Sequence, residues 1–343
     1  VDLPRINSPA AVLRVSRLLL QSLGMAAGWA LRPLPRRVPP PLARPADTVV
    51  LVTLDGVRLR DLMGWNGHPA MPRLMRDLLP RGAFLGTDTR RPAFRIGSPI
   101  GISMAEYQAI FSGRLTACIN NEDPPPRGST LANAVQDAFP GGNALGAYAT
   151  WDLVADCLKA RPEAATVARG PDAARDLLAA RGIALPEGAP VDAPAFRAGL
   201  DHLRRDPPRF LFIGLDESDN AAHHEGYPRY LEVLARYDGY VAEIAAEVAS
   251  QCAAGRAVTL LVTTDHGRGF GEEWIDHRWN IDGTARSWLF AMGHGIAAQG
   301  RLSGHRQRTL YDIRPTVEYL LGIPPRRRWW RGAVMEELIG GDG

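Results

Sequence analysis

Hydrophobic positions along this chain follow two rhythms. Short, almost unbroken apolar runs occur at Thr48-Val-Val-Leu-Val-Thr-Leu54, Phe210-Leu-Phe-Ile-Gly-Leu215 and Val258-Thr-Leu-Leu-Val-Thr263. Runs of that length, two of them rich in β-branched residues, are the pattern of strands buried on both faces of a parallel sheet. A further strand is predicted at Arg286–Met292. Between these lie stretches of helical spacing: Met71 to Leu79, Met104/Tyr107/Ile110/Phe111, Thr130 to Ala138, Asp172 to Arg181, Ala195 to Arg205, Tyr230 to Val248 and Tyr311 to Gly322. Strands interleaved with helices predict an α/β protein with a mostly parallel sheet. Residues 114–209 are the least patterned, and an insertion or cap over a site is expected there.

Each of the three apolar runs ends in the same kind of chemistry. The first delivers Asp55, the second the cluster Asp216-Glu-Ser-Asp219-Asn-Ala-Ala-His223, and the third Asp265-His266. In an open parallel sheet the carboxyl ends of strands are where ligands bind. A helix after the second run would stack Asp219 and His223 on one face, as two metal ligands would be arranged. Asp55 alone is equally an N-cap or an Asx turn. Several carboxylates at one sheet edge, however, repel each other unless cations lie between them. Ser103, where Gly/Ser/Pro loop chemistry gives way to helical spacing, falls at a helix N-terminus that favours an anion.

Composition narrows the partners. The 343 residues are 45% hydrophobic and 22% charged, which suits a soluble globular domain. The formal charge is +3, but Lys159 is the only lysine and the arginines are dispersed, so no nucleic-acid binding is expected. Cys118, Cys157 and Cys252 show no CxxC spacing, which excludes a disulfide framework and a thiolate zinc cluster. One Cys118–Cys157 bridge or three separate thiols both remain open. Residues 1–46 form an N-terminal extension preceding a domain at 47–343. Its segment 12–31 reads either as the apolar region of a secretory signal, the one route to membrane association, or as an amphipathic helix leading into a Pro/Arg linker. The first reading predicts an extracytoplasmic protein and the second a cytoplasmic one.

Together these residues resemble the alkaline phosphatase superfamily, in particular its type I phosphodiesterase/nucleotide pyrophosphatase-like branch. The similarity spans about residues 48–323 in order. Leu54-Asp55-Gly56 resembles the first strand, Ser103 with Tyr107 and Gly113 the nucleophile segment, and Glu217-Ser-Asp219-x-x-x-His223-x-x-Gly226 the central ligand motif. Thr264-Asp265-His266-Gly267 is the strongest signature, and Asp312 to Gly322 resembles the C-terminal helix. The resemblance implies a three-layer α/β/α fold with a small cap insertion and a centre of two divalent ions, usually zinc. Asp219, His223 and His277 would hold one ion, and Asp55, Ser103, Asp265 and His266 the other. Ser103 would be the nucleophile, and Asn121 or its neighbour Asn120 would donate to a phosphoryl oxygen.

Two departures matter. Arg278 follows His277 where the family commonly has glycine, and His294 in Gly293-His-Gly-Ile296 is a rival ligand. The spacing from His277 to the Trp288–Met292 strand and the Gly293 turn resembles the family's, so His277 is preferred. The nucleophile position holds Ser where diesterase relatives often have Thr, so the substrate class does not carry over. The expected activity is hydrolysis of a small-molecule phosphate ester, diester or monoester, with phosphonate esters included. A phosphotransferase or mutase is the nearest alternative. A sulfatase is disfavoured because Ser103-Met-Ala-Glu lacks the Pro and Arg of the formylglycine context, and a non-catalytic metal-binding protein would not retain the whole ligand set.

Overall fold

The computed structural model describes residues 39–340, apart from 65–66, 90–92, 304–305 and 325–331. The expectations for residues 12–31 lie outside the described residues. Along the chain the strands are β1 (Thr48–Leu54), β2 (Gly82–Leu85), β3 (Phe94–Arg95), β4 (Leu145–Ala149), β5 (Ala165–Arg169), β6 (Phe210–Leu215), β7 (Val258–Thr263), β8 (Leu289–Gly293), β9 (Gly300–Arg301) and β10 (Arg308–Thr309). Eight of them form one sheet in the order β5-β4-β6-β1-β7-β8-β2-β9, and β3 pairs with β10 apart from it. The three apolar runs of the sequence are its centre: β1 lies between β6 and β7, parallel to both. Within the sheet only β8 runs against the rest, antiparallel to β7 and β2.

Alternation along β1 sorts its side chains to two cores, as the two-residue period of a strand requires. Val50, Val52 and Leu54 face one cluster with Phe196, Tyr230, Leu234 and Ile244, while Val49 and Leu51 face another with Tyr107, Phe111, Leu310 and Val317. The helices are α1 (Leu59–Met63), α2 (Ser103–Ser112), α3 (Leu131–Ala138), α4 (Asp152–Cys157), α5 (Gly170–Ala179), α6 (Ala193–Arg205), α7 (Glu217–His224), α8 (Tyr227–Ala253) and α9 (Ile313–Leu320). Helices α5, α6 and α8 cover the first face, and α2, α3, α4 and α9 the second. The fold is thus the three-layer α/β/α sandwich.

Residues 114–209, expected to form a cap in part, contribute largely to the framework: β4 and β5 extend the sheet beyond β6, and α3 to α6 pack on its faces. The loop 114–130 reaches the functional edge through Asn121, which meets the start of α2. The segment predicted as a regular helix at Met71 to Leu79 is a π-helical turn, Arg73–Leu78, closed by a 3₁₀ turn, Leu79–Arg81. Pro80 can donate no backbone bond, and the N–H groups of Arg73 and Leu74 go to the Asp238 carboxylate of α8 instead. Cys118, Cys157 and Cys252 are free thiols, the first two buried. Among the described residues no helix is long and apolar enough to cross a membrane.

Candidate metal and nucleophile centre

At the carboxyl edge of the sheet the ends of β1, β6 and β7 converge. Asp55 follows β1 directly and is buried. The Tyr107 hydroxyl, one turn into α2, donates to Asp55 Oδ2 (3.1 Å) and fixes its rotamer. Asp265 and His266 come just after β7, and both are fully buried. Asp265 Oδ1 accepts two backbone bonds, from Gly56 N (3.0 Å) and His266 N (2.8 Å). Its Oδ2 is buried and, among the described residues, has no hydrogen-bond partner, with His266 Nε2 3.4 Å away, an arrangement that normally costs stability unless something else pairs with it. Gly56 has φ +63°, and a Cβ there would lie 2.5 Å from Asp219 Oδ1. Only glycine lets the β1 turn pass between these carboxylates.

Ser103 is the first residue of α2, after an extended Ile102. Its Oγ lies 3.1 Å from His266 Nε2 and 3.5 Å from Asp55 Oδ1. Asn121 Oδ1 accepts from Met104 N (3.2 Å), so this residue lies at the same helix end. Asn120 does not share that contact: its Nδ2 donates to Asp123 Oδ1 (2.9 Å) and its Oδ1 accepts from Glu122 N (2.9 Å) within the loop. Below the serine, buried Glu106 accepts from Gly97 N (2.5 Å), Ser98 N and Ser98 Oγ. It thereby clamps the glycine-rich loop that leads into α2.

The second group comes from α7 and a loop. Asp219 and His223 share a face of α7, with His223 Nε2 3.2 Å from Asp219 Oδ2. His277 Nε2 lies 3.1 Å from His223 Nε2, and its ring stacks on His266 with centroids 3.6 Å apart. Two carbonyls decide which way these imidazoles point. His277 Nδ1 donates to Gly101 O (2.8 Å) and His266 Nδ1 to Gly267 O (3.1 Å), so in both rings the Nε2 lone pair faces inward. That is the tautomer a metal-binding histidine needs. Asp219 Oδ1 is 3.8 Å from each of those Nε2 atoms.

These donors form two overlapping sets with ligand atoms within 4.8 Å of one another: Asp219/His266/His277 and Asp55/Asp265/His266. His266 thus faces both sets, where the sequence resemblance assigned it to one. The rival His294 is at the opposite edge of the sheet: its N–H donates to Val258 O at the start of β7, and its Nε2 to Arg44 O (2.8 Å). Of the remaining histidines, His202 packs between Tyr148 and Asn143 (2.9 Å to each), and His68 and His224 are exposed.

Arg268 is the residue that the sequence reading missed. It is fully buried, and its guanidinium donates to Gly56 O (3.1 Å), Ile275 O (2.9 Å) and Asp219 O (3.2 Å) and pairs with the Asp219 carboxylate. A signal was available: an arginine inside the glycine turn Gly267-Arg-Gly269, between two donor segments. It governs the electrostatics. Burial raises Asp219, but the Arg268 charge and the His223 hydrogen bond outweigh it and hold the carboxyl well below the usual range. Burial, with the charges of Asp265 and Asp219, pushes Asp55 well above it, and burial takes Asp265 up to about 7. Burial also lowers His277 to about 4 and His266 well below the ordinary histidine value. Neutral imidazoles beside crowded carboxylates and an unpaired carboxylate oxygen make a donor set that suits borderline divalent cations.

No protein-family profile and no curated protein matches the sequence. Solved structures do share the fold. The alkaline phosphatase PafA aligns with a TM-score of 0.62 at 12% identity, over 89% of this chain and 100% of its own. Murine ectonucleotide pyrophosphatase/phosphodiesterase 5 gives 0.58 at 12% identity, over 85% and 100%. BT1596, a 2-O GAG sulfatase, gives 0.58 at 13% identity, over 85% and 73%. This chain shares the fold of these structures, the three-layer fold that the resemblance implied. A phosphatase, a phosphodiesterase and a sulfatase all share it, so the fold alone does not select the chemistry.

Proposed function

We propose that this protein is a metal-dependent hydrolase of phosphate esters that uses Ser103 as its nucleophile. The observation that carries the reading is the environment of Ser103 Oγ. It stands at a helix N-terminus, 3.1 Å from the His266 Nε2 lone pair, in the set that contains the unpaired Asp265 Oδ2. Asp219, His223 and His277 would hold one ion and Asp55, Ser103, Asp265 and His266 the other, zinc suiting this mixture of nitrogen and oxygen donors. A pair of such ions supplies Lewis-acid stabilisation of the attacking and leaving oxygens. Ser103 attacks phosphorus, its proton passing to the Asp55 carboxylate 3.5 Å away. The ester alcohol leaves, and water then releases phosphate from phospho-Ser103. The backbone amides at the start of α2 and the Asn121 side-chain amide, held by its bond to Met104 N, face the charge that develops on the phosphoryl oxygens.

Ser103-Met-Ala-Glu, without the Pro and Arg of the formylglycine context, supports phosphate over sulfate. The test is a panel of aryl phosphate mono- and diesters, a phosphonate ester and a sulfate ester, assayed with zinc. Hydrolysis of a phosphorus ester is expected, with a burst of leaving group, loss of activity in chelator and two ions per chain by metal analysis. Ser103→Ala should reduce turnover by about 1,000-fold or more. Full activity in Ser103→Ala would refute the covalent route, and hydrolysis of the sulfate ester alone would favour the sulfatase.

A further inference from the structure

A cavity of about 440 Å³ is lined by Arg58, Arg60, Tyr227, Gly271 and Trp274, residues of the segments that carry the donors Asp55, His223 and His277. That volume lies in the range of small-molecule sites. We infer that it is the leaving-group pocket of the centre and that it accepts planar aromatic groups; the inference rests on the ester hydrolysis proposed above.

The walls belong to the donor segments. Arg58 follows Asp55 by three residues, Tyr227 follows His223 by four, and Trp274 precedes His277 by three. The 3₁₀ turn Gly271–Ile275 that carries Trp274 is tied to Asp219 by one guanidinium, since Arg268 donates to both Ile275 O and Asp219 O. Ser103 stands with Asp55 and His266, whereas this turn is joined to Asp219 through Arg268. In-line displacement ejects the leaving group opposite the attacking oxygen, which is toward His223 and His277.

The lining specifies the ligand. Tyr227 and Trp274 meet edge to face at 5.1 Å, with Tyr230 behind both. The Arg58 guanidinium lies 5.8 Å from the Tyr227 ring centre and that of Arg60 5.3 Å from the Phe270 ring centre. The polar ends of two walls are already engaged: Arg58 pairs with Asp61 and donates to Gly269 O, and the Tyr227 hydroxyl donates to Asp61 Oδ1 (2.8 Å). What faces the cavity is ring edge and arginine stem, a surface that stacks flat apolar groups and offers little to a second phosphate. Gly271, at φ +57° with nothing within 4 Å of a Cβ position, leaves the space open.

Ser103→Ala protein, unable to turn over, separates binding from chemistry. By calorimetry it should bind 1-naphthyl phosphate about 10-fold more tightly than methyl phosphate, an aromatic contact of ordinary size. Adding Trp274→Ala should abolish that preference without changing methyl phosphate affinity, and Trp274→Phe should restore much of it. Equal affinity for the two esters, no binding of either, or a preference that survives Trp274→Ala overturns the pocket. Absence of hydrolysis by the wild-type protein would instead refute the proposed activity, and the binding comparison would still judge the cavity.

Discussion

Arg268 is a fixed positive charge within the centre, placed where three carboxylates, Asp55 and Asp265 buried and Asp219 half-buried, would otherwise crowd together. Removing one partner of a buried ion pair strands the other and costs about 3–5 kcal/mol. Arg268→Met is therefore expected to lower Tm in chelator by about 10 °C, with added zinc recovering most of the loss, because a bound cation takes over the guanidinium's charge. Arg268→Lys keeps the charge but cannot span the three carbonyls, so it should retain most of the chelator-state stability. Thermal unfolding of both variants with zinc and with chelator checks this; equal losses in the two conditions would reduce Arg268 to a structural brace. At this scale the sequence was informative where a side chain terminates a strong apolar run, as Asp55 and Asp265 do. It was silent on Arg268, whose role depends on carbonyls of Gly56 and Ile275 contributed by distant turns.

The elements divide along the same line. Central strands β1, β6 and β7 are buried on both faces and so are apolar throughout, which made them legible. Strand β4, Leu145-Gly-Ala-Tyr-Ala149, is equally buried, yet its small residues carry little strand propensity. The reason is the helix above it: a Cβ on Gly146 would lie 2.6 Å from His202 Nδ1. His202 of α6 fills that space between the Tyr148 hydroxyl and Asn143 Oδ1, and burial lowers its pKa to about 4. The unfolded chain takes up a proton at this imidazole near pH 6.5, and the folded chain only near 4. The stability from keeping it neutral is present above about pH 6.5 and is lost as pH falls toward 4, roughly 2 kcal/mol of it between pH 7 and pH 5. Urea denaturation at those two pH values should show a smaller drop in His202→Gln than in the wild type; an identical drop would mean that other groups titrate.

Across the whole molecule, the polarity of the sheet separates residues that the sequence could not. β8 alone runs backwards, carrying the chain from the functional edge to the opposite one. His277 precedes that crossing and meets His223, whereas His294 follows it and meets Arg44. Esterase assays with metal analysis should therefore find His277→Ala depleted of metal and at least about 100-fold less active, and His294→Ala close to wild type. The reverse would exchange the two assignments. A motif spacing could only prefer one histidine, because strand direction is a tertiary property.

The centre draws its donors from segments beginning at Asp55 and ending at His277. On a growing chain, the early donors Asp55 and Ser103 meet none of the later donors until β6 and then β7 have been made and paired beside β1. The imidazole that meets His223 comes last of all, from a loop that follows every central strand. A complete donor set therefore cannot nucleate this fold during synthesis; the apolar strands must find one another first, and any ion that the centre takes up would enter the finished domain.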